Sequence, residues 1–178
     1  HRVEFAATTL GVQSMSLKKI AAATAVIMVA AVGFGAATAQ DWRQPATYGS
    51  ATLNTGFEPD PHNVNLQSGG SIDASQSIGN GCTGFIANAP DFDLTYNSGT
   101  GANQLPLVIS VNSNADTTLV VNGPDGKWYC DDDSGNGALN PSLTFTHPQS
   151  GLYDIYIGTY GNSGLQPAVL SVSEVASN

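Results

Sequence analysis

From Val64 to Val175 no stretch of this chain sustains the 3.6-residue apolar period of a helix, and that constrains the fold more than any single motif. Short runs rich in Val, Ile, Leu, Thr and Tyr alternate instead with clusters of Gly, Asn, Asp, Ser and Pro. In LPLVISVNS, Leu107, Ile109 and Val111 share one face at period two. DTTLVVNGPDGKWYC holds two apolar runs joined by Asn122-Gly123-Pro124-Asp125-Gly126, the composition of a hairpin with a glycine-closed turn. SLTFTH sets Leu143 and Phe145 against Thr144 and Thr146, and GLYDIYIGTY sets Tyr153, Ile155 and Ile157 against Asp154 and Tyr156. AVLSVSEV offers Leu170 and Val172 as an inward pair, and VNLQ, SIDA and FDLTY are weaker candidates. Eight or nine short strands over about 115 residues predict an all-β fold, a two-sheet antiparallel β-sandwich of jelly-roll type.

The N-terminal part reads differently. MSLKKIAAATAVIMVAAVGFGAATAQDW carries Lys18 and Lys19, then an apolar run from Ile20 to Phe34, then the small-residue cleavage pattern Ala37-Thr38-Ala39. This is the order of an N-terminal signal peptide, with an uncleaved anchor as the rival reading. The expected organisation is an upstream artefact or fragment start at 1–14, a signal peptide at 15–39, an extended leader or linker at 40–62 and the sandwich at 63–178. The product is then secreted or periplasmic, with no membrane attachment after cleavage. The chain carries five Lys and Arg against fourteen Asp and Glu, for a net charge of −9, and beyond residue 39 only Arg43 and Lys127 are basic. So acidic a surface repels polyanions, which excludes nucleic acid as a partner, and it attracts cations.

Two cysteines in an exported chain predict one disulfide, Cys82 to Cys130, since their spacing fits no CxxC metal or redox pattern. Directly after Cys130 stand Asp131, Asp132 and Asp133, followed by Ser134-Gly135-Asn136-Gly137. Adjacent like charges repel unless water or a cation compensates them. Calcium takes several carboxylate, carbonyl and water oxygens from a flexible loop, so this stretch is either a calcium loop or a solvated acidic turn. Asp91 and Asp93, two apart at a strand start, share a face without a basic partner in sequence, and Asp116 can join either group. Calcium is the expected cofactor and these six aspartates its candidate ligands.

Trp128, Tyr156 and Tyr160 form a candidate exposed platform for an extracellular polysaccharide or protein, set against ordinary sheet packing. Two enzyme readings remain as alternatives to a binding module. GNSGL around Ser163 loosely matches the nucleophile stretch of trypsin-like proteases, with His62 and His147 as the available bases, and paired aspartates can serve a glycosidase. A serine is not a triad, and the hairpin-loop reading of YGNSGLQP is preferred. No catalytic residue is assigned.

In order along the chain stand Asp91-Phe92-Asp93, the Leu107–Val111 alternation, Asp116 to Val121, and Pro124-Asp125-Gly126. Asp132-Asp133-Ser134-Gly135 and Pro148-Gln149-Ser150-Gly151-Leu152-Tyr153 follow. Over about Asn63 to Val175 this series resembles the bacterial pre-peptidase C-terminal domain family, as a stand-alone secreted copy. The resemblance implies a jelly-roll sandwich related to calcium-dependent collagen-binding domains and a noncatalytic role. A peptidase label would follow from the family name alone. Cys82 and Cys130 are not part of the family's general pattern, and no protease domain accompanies the module in this sequence.

Overall fold

In the computed structural model, residues 40–79 and 81–177 are described; residues 1–14 and the expected signal peptide at 15–39 lie outside them. The strands are β1 (Ser50–Asn54), β2 (His62–Ser68), β3 (Ile72–Asp73), β4 (Phe85–Ile86), β5 (Phe92–Asn97) and β6 (Leu107–Asn112). They continue with β7 (Thr117–Asn122), β8 (Trp128–Asp131), β9 (Ser142–Phe145), β10 (Gly151–Thr159) and β11 (Gln166–Ser173). The one α-helix among the described residues, α1 (Ala74–Ser77), is a single turn whose Ser75 N–H is capped by Asp73 at 2.9 Å.

Alternation decides the layers. The apolar sides of β5, β7 and β10 meet those of β2, β6 and β11 in one core, with Leu94, Tyr96, Ile109, Leu119, Ile155 and Leu170 fully buried. One sheet runs β2-β11-β6-β9. The other has seven strands: β10 pairs β7, which pairs β8, while the other edge of β10 is shared by β5 and, at Thr159, by β4. The fold is therefore an all-β two-sheet sandwich. All pairings are antiparallel except that of β1 with β5, which is parallel.

The polar stretch expected as a leader is bound into this structure. Ser50–Asn54 adds an edge strand to β5, Thr47 N–H donates to the Pro90 carbonyl and Tyr48 N–H to that of Asp91. Gly56 N–H donates to Glu174 Oε2 at 2.7 Å, and Glu174 N–H donates to Asp60 Oδ2 at 3.0 Å. Its polarity misleads because an edge strand shows one face to water.

The seven-stranded sheet is also covered on part of its outer face. The excursion β3–α1–β4 packs Ile72, Ala74, Cys82 and Ile86 onto Val120 and Tyr156, forming a second small core. Close approach here needs Gly158, where a Cβ would lie 2.4 Å from Thr118 Oγ1 and 2.9 Å from the Phe85 carbonyl oxygen. The Cys82–Cys130 disulfide ties the excursion to β8, closing a separation of 48 residues. In the chain-entropy picture that closure stabilises by about 4 kcal/mol. A Cys82→Ser/Cys130→Ser variant is expected to lose stability of that order in urea unfolding while keeping its β-sheet circular dichroism. A loss below about 1 kcal/mol would show that the excursion holds its place without the staple.

Candidate functional site

Strand register sets a straight polar row across the outer face of the seven-stranded sheet. Ser50 pairs with Asp93, Asp93 with Asp154, Asp154 with Asn122, and Asn122 with Trp128. Two carboxylates thus lie directly opposite each other on neighbouring strands, an arrangement that repels unless compensated. Asp154 is 3% exposed. Oδ1 of Asp93 and Oδ1 of Asp154 are both buried and meet no hydrogen-bond partner among the described residues, nor does the hydroxyl of fully buried Tyr156. Asp91, equally buried, accepts the Ile157 N–H at 2.7 Å.

Burial raises all three carboxyl pKa values. Asp91 is pushed up to about 7 by desolvation, against the pull of the Ile157 N–H. Asp154 rises to about 6, through desolvation first and the Asp93 charge second. Asp93 is raised by desolvation, and the Ala46 N–H works the other way. The Tyr156 hydroxyl is likewise pushed up by burial, then by the charges of Asp154, Asp93, Asp41 and Asp91. No basic side chain among the described residues relieves this cluster: Lys127 pairs with Asp125 at 3.1 Å, and the Arg43 guanidinium lies 4.6 Å over the Trp42 ring.

Beside this row opens a groove of about 420 Å³ lined by Trp42, Trp128, Asn122, Pro124, Leu152 and Asp154 among others. Trp42 comes from the segment before β1, held over the sheet partly by the Asp41 N–H donating to the Asn88 carbonyl. Trp128 packs on Tyr156 with ring centroids 5.9 Å apart. Elsewhere, a groove of about 450 Å³ lined by Tyr48, Asn65, Gln67, Asn112 and Ser113 among others has no charged lining residue.

The six expected ligands fall into different places. Asp93 groups with Asp154 across β5 and β10, whereas Asp91 is buried separately with the Ile157 N–H as its partner. Asp116 groups with the acidic loop: desolvation, then Asp133 and Asp132, raise its pKa. Asp131 turns inward and is spent on the loop itself, accepting from Ser134 N–H (2.9 Å), Ser134 Oγ (2.6 Å) and Ser142 N–H (2.9 Å). Asp132 accepts from Thr83 Oγ1 at 3.5 Å. Among the described residues no three acidic, His or Cys side chains converge to hold a metal ion. The aromatic platform needs correction. Tyr156 is fully buried beneath the excursion, Tyr160 is half exposed beyond the end of β10, and only Trp128 of the three lines the groove. Parity identified the face of Tyr156, but not that β3–α1–β4 would cover it. Trp42, Asn122 and Asp154 were missed as groove residues, because cross-strand register brings Asn122 and Asp154 together and Trp42 joins them from the segment before β1.

Ser163 does not meet a histidine. His62 pairs with Val172 and Ser68 with Gln166, so Ser163, just before β11, lies beyond the far end of β2, roughly 20 Å from His62. His147 precedes β10 and Ser163 follows it, a separation of roughly 25 Å along that strand.

An all-β sandwich with a tryptophan-lined groove on one outer face is the class of molecule these features define. No protein-family model matches the chain, and no curated protein does. Among solved structures it is similar to the pre-peptidase C-terminal domain of a collagenase from Bacillus anthracis. Identity is 14% and the TM-score 0.43, with 73% of this chain and 98% of that one covered. It is also similar to PliG of Aeromonas hydrophila, a periplasmic inhibitor of g-type lysozyme, at 15% identity, TM-score 0.37 and coverages of 70% and 96%.

The raised carboxyl pKa values make stability depend on pH with a definite sign. Between about pH 4 and 7 the native state binds more protons than the unfolded chain, so these groups lose stabilising effect as pH rises through that window. Asp91→Asn retains an acceptor for the Ile157 N–H and removes the buried charge. It is expected to be more stable than the parent at pH 8, by something on the order of 4 kcal/mol, with the gain vanishing near pH 4. Paired urea titrations at the two pH values check this; an equal effect at both would refute it.

Proposed function

We propose that this chain is a noncatalytic binding or accessory module of an exported protein, a relative of the pre-peptidase C-terminal domains. It acts on an extracellular polymer or a protein partner, outside the cytoplasm, in a secreted or periplasmic setting. The observation that carries the reading is the groove: both tryptophans of the chain stand beside a buried carboxylate that has no basic partner among the described residues. Aromatic faces with few convergent polar groups are the usual make-up of a recognition site. The disulfide fits an oxidising compartment. The separation of Ser163 from His62 and His147 speaks against the serine-hydrolase alternative. Peptidase and glycosidase assays are expected to stay at background; turnover abolished by Ser163→Ala would overturn the module reading.

Calcium belongs to the same proposal, at the loop end of the sandwich rather than at the acidic row. Asp132 and Asp133, whose charges Asp116 feels, would supply carboxylate oxygens there. Since three protein carboxylates do not converge, loop carbonyls and water would complete the shell. Binding to the native state alone raises Tm, by the equivalent of about 2.7 kcal/mol at a hundredfold excess over Kd. Thermal melts in millimolar calcium are expected to show an upward shift that Asp132→Asn/Asp133→Asn removes. An unchanged Tm would leave the loop as a solvated acidic turn.

A further inference from the structure

We infer that the groove between Trp42 and Trp128 is a receptor for an organic cation, the ammonium or guanidinium of a lysine or arginine side chain presented by a basic protein partner. The inference deepens the binding-module reading and rests on it. It names what the groove takes.

Three observations converge. The first is uncompensated charge. Asp93 and Asp154 face each other across β5 and β10, each with one buried carboxylate oxygen that meets no partner among the described residues, and Asp154 lines the groove. A neutral ligand can donate hydrogen bonds to such a pair, but only a cation also cancels its repulsion. The described residues do not supply that cation: their two Lys and Arg side chains are engaged with Asp125 and Trp42.

The second is the wall material. Tryptophan faces attract cations through the ring quadrupole, and Arg43 already places a guanidinium 4.6 Å over Trp42. Indole does not ligate a bare metal ion, and no three ligating side chains converge in the described residues. At about 420 Å³ the groove has room for a side chain rather than a naked ion.

The third concerns the source. The rim offers exposed apolar surface at Trp42 and Leu152, 43% and 42% exposed, which a free amine does not use and a protein surface does. The net charge of −9 steers a basic macromolecule toward the face.

The test is direct because Trp42 and Trp128 are the only tryptophans in the chain, so emission excited at the indole band reports on this groove alone. The purified protein is titrated with N-acetyl-lysine amide, N-acetyl-arginine amide, poly-L-lysine and, as neutral probes, N-acetyl-alanine amide and chitotriose. The cationic amides are expected to change the emission and the neutral probes to leave it unaltered. Poly-L-lysine is expected to bind at least tenfold more tightly than the free amide. Asp154→Asn should weaken every cationic probe at least tenfold while the variant melts no lower than the parent, since a buried unpaired charge has been removed. Raising sodium chloride to about 0.5 M in the unsubstituted protein should weaken poly-L-lysine similarly, an arm that needs no variant.

Silence with all cations, or equal affinity in Asp154→Asn, overturns the cation receptor. A response to chitotriose alone reassigns the groove to a neutral glycan. Equal affinity for amide and polymer removes the protein source. Each of these leaves the module reading standing if hydrolase assays are at background, whereas turnover lost in Ser163→Ala brings down both.

Discussion

From Tyr153 to Thr159, strand β10 is buried on both faces, and the rest of the structure is arranged around that fact. Its inward side chains, Tyr153, Ile155 and Ile157, fill the core between the sheets. Its outward ones, Asp154, Tyr156 and Gly158, are covered as well, so this strand cannot obey the simple rule of one dry and one wet face. A strand buried on both sides demands apolar or satisfied groups throughout. Gly158 and the ring of Tyr156 meet the demand by packing against the β3–α1–β4 excursion, although the buried Tyr156 hydroxyl finds no partner among the described residues. Asp154 does not, and the unusual electrostatics of the molecule begin there.

The excursion and the acidic row are two answers to the same exposed sheet face. Along one half, a short segment pinned by Cys82–Cys130 lies over Val120 and Tyr156. Along the other, the covering is only partial: the segment carrying Trp42 reaches over the sheet but leaves a groove above Asp154, Asn122 and Trp128. Carboxylates placed where burial is incomplete yet water is scarce have raised pKa values, a state that pairing with a cation would relieve. Scarcity of Lys and Arg in the chain, which on composition alone concerned only surface charge, thereby acquires a local meaning.

Much of the architecture was legible. The strands at 107–111, 117–121, 142–145, 151–159 and 168–173 place apolar residues such as Leu107, Ile109, Val111, Leu119, Val121, Ile155 and Leu170 at every second position, and these are the residues that fill the main core, even though both faces of β6, β7 and most of β10 are buried. The cysteine pairing was legible because only one pair exists. Less visible was the edge strand Ser50–Asn54, whose SATLN sequence carries little apolar signal because it packs on one face and pairs along one edge. The two-residue strands β3 and β4 have no period to detect. The function of Asp131 was obscured by its neighbours: three consecutive aspartates look equivalent, but only Asp131 turns in to hold Ser134 and Ser142.

Sequence alone determined the class of fold, the inward residues of the long strands and the single disulfide, because periodicity and cysteine count are local or nearly combinatorial properties. Tertiary structure alone decided that Asp93, Asp154, Asn122 and Trp128 stand in one row, that Trp42 lines the groove beside it, and that Tyr156 lies beneath a cover rather than on a surface. The reason is physical: alternation says which way a side chain points relative to its own strand, but register and coverage depend on pairings between residues far apart in the chain, 61 positions for Asp93 and Asp154, and no local pattern encodes them.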